Sequence, residues 1–236
     1  MPEPRHPHFT AWPLVEGFCD RQSYDRGATV AVRASARAPS FTVEVTRVGR
    51  ERTLVWRREG LSAADHPPPD EAWGVGCDWP VALTIEADPA WPSGFYEVAL
   101  RTADDSDRGT SHAFFVLRPT APADPTRPLL VLSTNTWQAY NQWGGRCLYS
   151  GAERVSFARP LERGYLRRPA APDEVEFDGR VAGIDDPADP EHRRLLEYQA
   201  TNRYPLWTAS SGWHNWERRF VRWAEGEGID VDIAVS

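Results

Sequence analysis

The sequence predicts a mixed protein: an N-terminal β-sandwich of immunoglobulin-like type, then the first part of an α/β domain with a parallel sheet. Three observations lead there. Short segments of alternating apolar and polar residues recur between residues 28 and 118, with turn residues between them. A proline-rich stretch, 119–128, then breaks the pattern and reads as a semi-rigid linker. After it comes the apolar run Leu129–Leu132, which reads as a strand buried on both faces. That run empties into a polar, aromatic, glycine-containing loop, the place where open α/β sheets bind ligands.

Composition bounds the function. The chain has 236 residues, 41% hydrophobic and 26% charged, as in an ordinary soluble globular protein. No apolar run approaches the roughly 18 residues of a membrane span. The opening Met-Pro-Glu-Pro-Arg-His-Pro-His lacks the apolar core of a secretory signal. Cys19, Cys77 and Cys147 are far apart and form no CxxC pair, which reads as reduced thiols in a cytoplasmic protein without a zinc site. A net charge of −7 argues against nucleic acid as a partner. Lysine is absent and every basic residue is Arg. The 11 tryptophans point to core packing or to stacking surfaces.

Residues 1–16 read as an extended tail, in which His6 and His8 are more simply mobile side chains than metal ligands. Residues 17–118 form the sandwich. Its strands are expected at Ala28–Ala34, Phe41–Val48, Leu54–Trp56, Val81–Ile85, Phe95–Arg101 and His112–Arg118. Residues 129–236 form the incomplete α/β domain. Ser133, Thr134 and Asn135 supply cap-forming side chains, and Thr136 to Tyr140 can start a short helix. Gly144-Gly145 opens a turn. Ala171–Pro190 is acidic and proline-rich, a surface excursion, and Glu191–Tyr198 reads as a short helix. The clearest helix is 211–227, capped by Ser210 or Ser211, with Trp216, Phe220 and Trp223 at i, i+4, i+7 as its buried stripe and Val221 widening it. Ile229–Val235 is a second strand. Two parallel strands cannot build a core of normal size, so the sheet is expected to continue beyond Ser236 or to be completed by another chain.

Few residues carry obvious chemistry. His214 sits beside Trp213 near a helix start, where the helix dipole would keep it neutral and able to accept a proton; a hydrogen-bonded capping His reads the same way. Tyr140 and Tyr149 flank Gly144-Gly145. Phenolates can bind a hard, highly charged metal, but two loop tyrosines are more often packing residues. Asn135, Asn141 and Trp143 are candidates to bind a polar substrate. Cys147 has no evident nucleophilic partner.

The segment Leu130-Val-Leu-Ser-Thr-Asn-Thr-Trp-Gln-Ala-Tyr-Asn-Gln-Trp-Gly-Gly-Arg-Cys-Leu-Tyr149 resembles a segment of proteins similar to the large (β) subunit of N,N-dimethylformamidase. So do Glu16–Tyr24, Trp91–Tyr96, Val155–Pro160 and Trp216–Trp223. The resemblance implies a β-sandwich followed by a domain like the class I glutamine amidotransferases. It also implies an iron held by two tyrosines and a glutamate, which activates water to hydrolyse a small amide. Carried over by motif, the first tyrosine matches Tyr140 and the second Tyr149, although the segment between them is short here. The glutamate of the family motif would lie beyond Ser236, and Glu217 does not match it, so iron is expected in a complete form and none is expected to bind tightly to this chain alone. Implied partners are a small polar amide-like substrate, a further copy of the chain or a small partner subunit, and neither nucleic acid nor membrane. Two other readings stand beside this one. In the first, a non-catalytic sandwich binds a ligand or glycan through Trp12, Trp73, Trp79, Trp91, Trp137 and Trp143. In the second, the chain is a structural partner whose open sheet another subunit completes.

Overall fold

The computed structural model describes residues 13–119, 124–167, 193, 197 and 211–236. The expectations for His6, His8, Trp12, the acidic stretch 171–190 and nearly all of the 191–198 helix lie outside the described residues.

Two sheets face each other in the N-terminal half. One is antiparallel, in the order β1 (Val15–Cys19), β3 (Thr29–Ala36), β6 (Val81–Glu86). The other runs β2 (Ser23–Tyr24), β8 (Thr110–Leu117), β7 (Gly94–Arg101), β4 (Phe41–Val48), β5 (Arg52–Leu61), with β2 parallel to β8 and the rest antiparallel. Strand alternation fills the space between them. Val30, Val32 and Ala34 point in from the first sheet, and Val43, Val45, Tyr96, Val98, Leu100, Phe115 and Leu117 from the second. Tyr96 stacks on Phe115 at 5.2 Å. This is a β-sandwich. A single turn of helix, α1 (Ala72–Val75), interrupts the path from β5 to β6.

The second sheet is covered on its outer face as well. β9 (Leu129–Leu132) and β10 (Asp232–Val235) pair in parallel, Leu129 opposite Asp232 through Leu132 opposite Val235. With α2 (Thr134–Tyr140) and α3 (Glu217–Gly226) they pack onto β7 and β8. Phe95, Phe114 and Val116 from the sandwich join Leu132, Trp137, Trp213, Val221 and Ile233 in one core. Phe95 stacks on Trp213 at 4.0 Å with the rings 6° from parallel. Arg47 on β4 pairs with Glu225 on α3 at 2.7 Å. The central strand β7 is therefore buried on both faces, alternate residues feeding each core.

Several expectations need correction. The first strand begins at Val15, which is fully buried, so the sandwich starts before residue 17. At the described end of the 119–128 stretch, Arg127 pairs with Asp230 and Asp232. β9 is buried on one face only: Leu130 and Leu132 pack on the sandwich side, while Leu129 and Val131 are 58% and 51% exposed. The last helix starts at Glu217 rather than near 211. Residues before it turn against Tyr165, where a Cβ on Gly212 (φ +105) would lie 2.6 Å from the Tyr165 carbonyl oxygen.

The orientation of α3 is the largest correction. Its inward residues are Glu217, Val221 and Ala224, also at i, i+4, i+7 but one position on from the expected stripe. Trp216, Phe220 and Trp223 are 45%, 41% and 55% exposed. One residue is about 100° around a helix. Polar anchors select this rotation over the greasier one. Glu217 Oε1 accepts from Ser133 N at 3.2 Å and from Trp137 Nε1 at 3.2 Å, and two turns on Glu225 holds Arg47. Turning the helix to bury Trp216 would break these contacts and leave the carboxylates without them.

Candidate functional site

The loop after β9 carries the candidate residues, and its shape follows from who supports whom. α2 leaves the carboxyl end of β9 and ends at Tyr140. The backbone then swings out through Asn141 and returns in a short 3-10 turn at Leu148–Ser150. Tyr140 and Tyr149 meet where the excursion closes: their rings stack at 4.1 Å, 5° from parallel. Their hydroxyls hydrogen-bond, and this bond to Tyr149, ahead of partial burial, pushes the Tyr140 phenol up to about 12. The pair is reachable, because Tyr149 is 58% exposed. Two neighbouring phenols at the surface are a donor type that can hold a hard, highly charged metal once their protons leave. Among the described residues no cluster of three or more His, Cys, Asp or Glu is arranged to hold a metal, so the third donor is not identified there.

Arg159 is the hidden support of this loop. It is 1% exposed, and its guanidinium donates to four carbonyls: Ser156, Trp143, Gln138 and Asn141. Burial lowers its pKa to about 10, so it stays charged at neutral pH. Asn141, fully buried, donates to the Gln138 side chain and the Pro160 carbonyl, and its Oδ1 accepts from Trp143 N and Glu162 N. Glu162 closes the ring by accepting from Gln142 N at 3.1 Å, and burial pushes its carboxyl up to about 8. Asn141 and Trp143 are candidates by sequence to bind a polar substrate. The structure instead spends the Asn141 amide on the loop itself and buries the Trp143 ring to 3% exposure. Asn135 is exposed at the start of α2, its N–H donating to Ser236 Oγ. His214 is half-buried in the turn before α3, its backbone N–H donating to the Tyr165 carbonyl.

Glu16 and Arg159 fall within segments that carry the family resemblance, but nothing in the sequence shows that they support this loop, and nothing there marks Glu162. Their partners lie up to 127 residues away, and only Pro160, which fixes the backbone after Arg159, hinted at a shaped turn. The tryptophan platform of the glycan reading loses three of its six members, since Trp79, Trp137 and Trp143 are buried; Trp73 is half-buried, and Trp91, also half-buried, stacks on Tyr96 at 5.6 Å.

A β-sandwich whose outer face carries a parallel strand pair and a loop with two stacked tyrosines defines the class of protein. The family model described as N,N-dimethylformamidase beta subunit-like, C-terminal, matches residues 42–236, and the chain belongs to that family. The match runs from β4 through β10, across both halves of the fold. No curated protein matches the chain.

Proposed function

We propose that this chain is a metal-dependent hydrolase of small amides, with Tyr140 and Tyr149 as two ligands of an iron ion. The observation that carries the reading is the stacked, hydrogen-bonded pair at the mouth of the loop, in a chain of this family. Iron bound there would supply a Lewis acid for the amide carbonyl and a water of lowered pKa. The protein's own part is positional. Arg159 and Asn141 fix the backbone from 138 to 162, and so hold the two phenol oxygens together at low reorganisation cost. Asn135, exposed at the carboxyl end of β9 beside Ser236, is the candidate to orient a small polar amide, and His214 the candidate proton acceptor. The finer fold, an immunoglobulin-like sandwich and an amidotransferase-like α/β unit, belongs to the same proposal and draws support from the parallel pairing of β9 with β10. So does a partner subunit, which the family's description supports. No described helix is long and apolar enough to cross a membrane. The buried free cysteines suit a cytoplasmic setting.

The test is a ferric titration of the protein followed in the visible, with release of amine from small formamides as the activity readout. A tyrosinate-to-iron band that disappears in Tyr140→Phe and in Tyr149→Phe is the expected result. A band that survives both substitutions would sink the assignment of the ligands.

A further inference from the structure

The loop between the two tyrosines is docked on the sandwich, and one hydrogen bond stands at the centre of the docking. Trp143 Nε1 donates to Glu16 Oε1 on β1 at 2.8 Å. The Trp143 ring meets Trp79 edge-on at 5.8 Å, in a small core with Phe18, Ala72 and Cys77. The next residue comes as close as backbone can: a Cβ on Gly144 would lie 2.8 Å from Trp73 N, and its φ of +89 suits glycine alone. Arg146 then lies over the Trp73 ring at 5.3 Å. On its other side Glu16 lines a cavity of about 120 Å³ together with Ser35, Arg37, Asp65 and His66. The same carboxyl thus holds the loop and faces an opening.

We infer that Glu16 and Trp143 are positioning residues for the tyrosine pair: the sandwich sets the geometry of the site by clamping the loop that joins its two members. The inference takes its functional weight from the proposed role of Tyr140 and Tyr149. The loop's amides are suited to report the clamp. Gln142 N donates to Glu162, Trp143 N to Asn141, Gly145 N to the Gln142 carbonyl and Cys147 N to Ser150. The Gln142 bond ties the loop to Glu162, and the other three hold its own turns, so together they report whether the docked loop keeps its order.

A pH signature separates a clamp from generic packing. Burial first, against the opposing pull of Trp143 and Arg37, pushes Glu16 up to about 7. The charged or titratable groups facing it are Arg37 from the β3–β4 turn, Cys77 from the segment after α1, and Asp65 and His66 across the cavity. Lifting the loop returns the carboxyl to water and lowers its pKa. Ionisation therefore favours release, and the loop is held more firmly below pH 7 than above it.

Amide hydrogen exchange of the full chain, corrected for intrinsic rates, tests this with Trp143→Phe, Glu16→Ala and Glu16→Gln at about pH 6 and about pH 8.5. Trp143→Phe and Glu16→Ala should lose about tenfold or more of the protection over 142–149, while β7 and β8 change by less than about twofold. Glu16→Gln keeps an acceptor oxygen but cannot ionise. It should hold the loop within about threefold of wild type and abolish the pH dependence. Unchanged loop protection in Trp143→Phe, or an equal loss in β7, overturns the inference, even if Glu16→Ala does not fold. The ferric titration runs independently: a missing iron band with the exchange pattern intact removes the metal reading and leaves the clamp.

Discussion

At the scale of single residues, the pair of phenols carries opposite demands. The hydrogen bond to Tyr149, ahead of partial burial, favours the protonated form of Tyr140 and pushes it up to about 12. A ferric ion needs the protons gone. Uptake should therefore release protons and strengthen with rising pH, an expectation checked by repeating the ferric titration across about pH 6 to 9. Affinity independent of pH would mean that the metal sits elsewhere. Replacing Arg159 tests the supports rather than the ligands. Arg159→Met keeps most of the volume but leaves four carbonyls without their donor, so a loss of about 3 kcal/mol or more is expected in denaturant melts. Sequence marked the tyrosines because a motif sat on them and they were near neighbours in the chain. A motif also covers Arg159, but its role and that of Glu162 exist only once the loop has folded back across α2, so neither could be read from the chain.

Elements show where pattern and packing part company. Strand alternation at Phe41–Val45 survives folding because β4 is flanked by strands on both edges and these residues feed the core between the sheets, while Val48, beyond the register shift at Val45/Thr46, joins the second core. Helix α3 is different. Two stripes of the same period compete on it, Trp216-Phe220-Trp223 and Glu217-Val221-Ala224, and apolar content favours the wrong one. What decides is a pair of carboxylates reaching for Ser133, Trp137 and Arg47, partners that a periodicity cannot see. β9 likewise reads as doubly buried because its residues are all apolar, while packing covers just the Leu130 and Leu132 face. The helix makes this testable. Val221→Ala should cost about 2 kcal/mol in a urea melt, whereas Trp223→Ser should stay within about 0.5 kcal/mol. Equal losses would place the tryptophan stripe inward after all.

For the molecule as a whole, buried ionisable groups set how stability changes with pH. His112 on β8 is pushed down to about 4, by burial first; the nearby Glu97 opposes the shift and Arg167, Arg101 and Arg52 reinforce it. A depressed histidine stabilises the fold above its unfolded pKa, and that stability is lost as pH falls from about 6.5 toward 4. Glu16 and Glu162 act with the opposite sign. Their carboxyls are raised from 4.5 to about 7 and about 8, so the native state holds protons that the unfolded chain has released. Their contribution is complete below about 4.5 and is lost as pH climbs through 7 and 8. Between about 4.5 and 6.5 the histidine offsets one of the two glutamates. Above about 6.5 nothing offsets Glu162, and stability should fall by about 2 kcal/mol by pH 8. Urea melts at half-unit steps of pH check this, with Glu162→Gln as the control. The amide cannot ionise, so most of the decline above pH 6.5 should vanish in that variant. A decline that persists unchanged would assign it to other groups and would detach Glu162 from the buried site beneath the tyrosine loop.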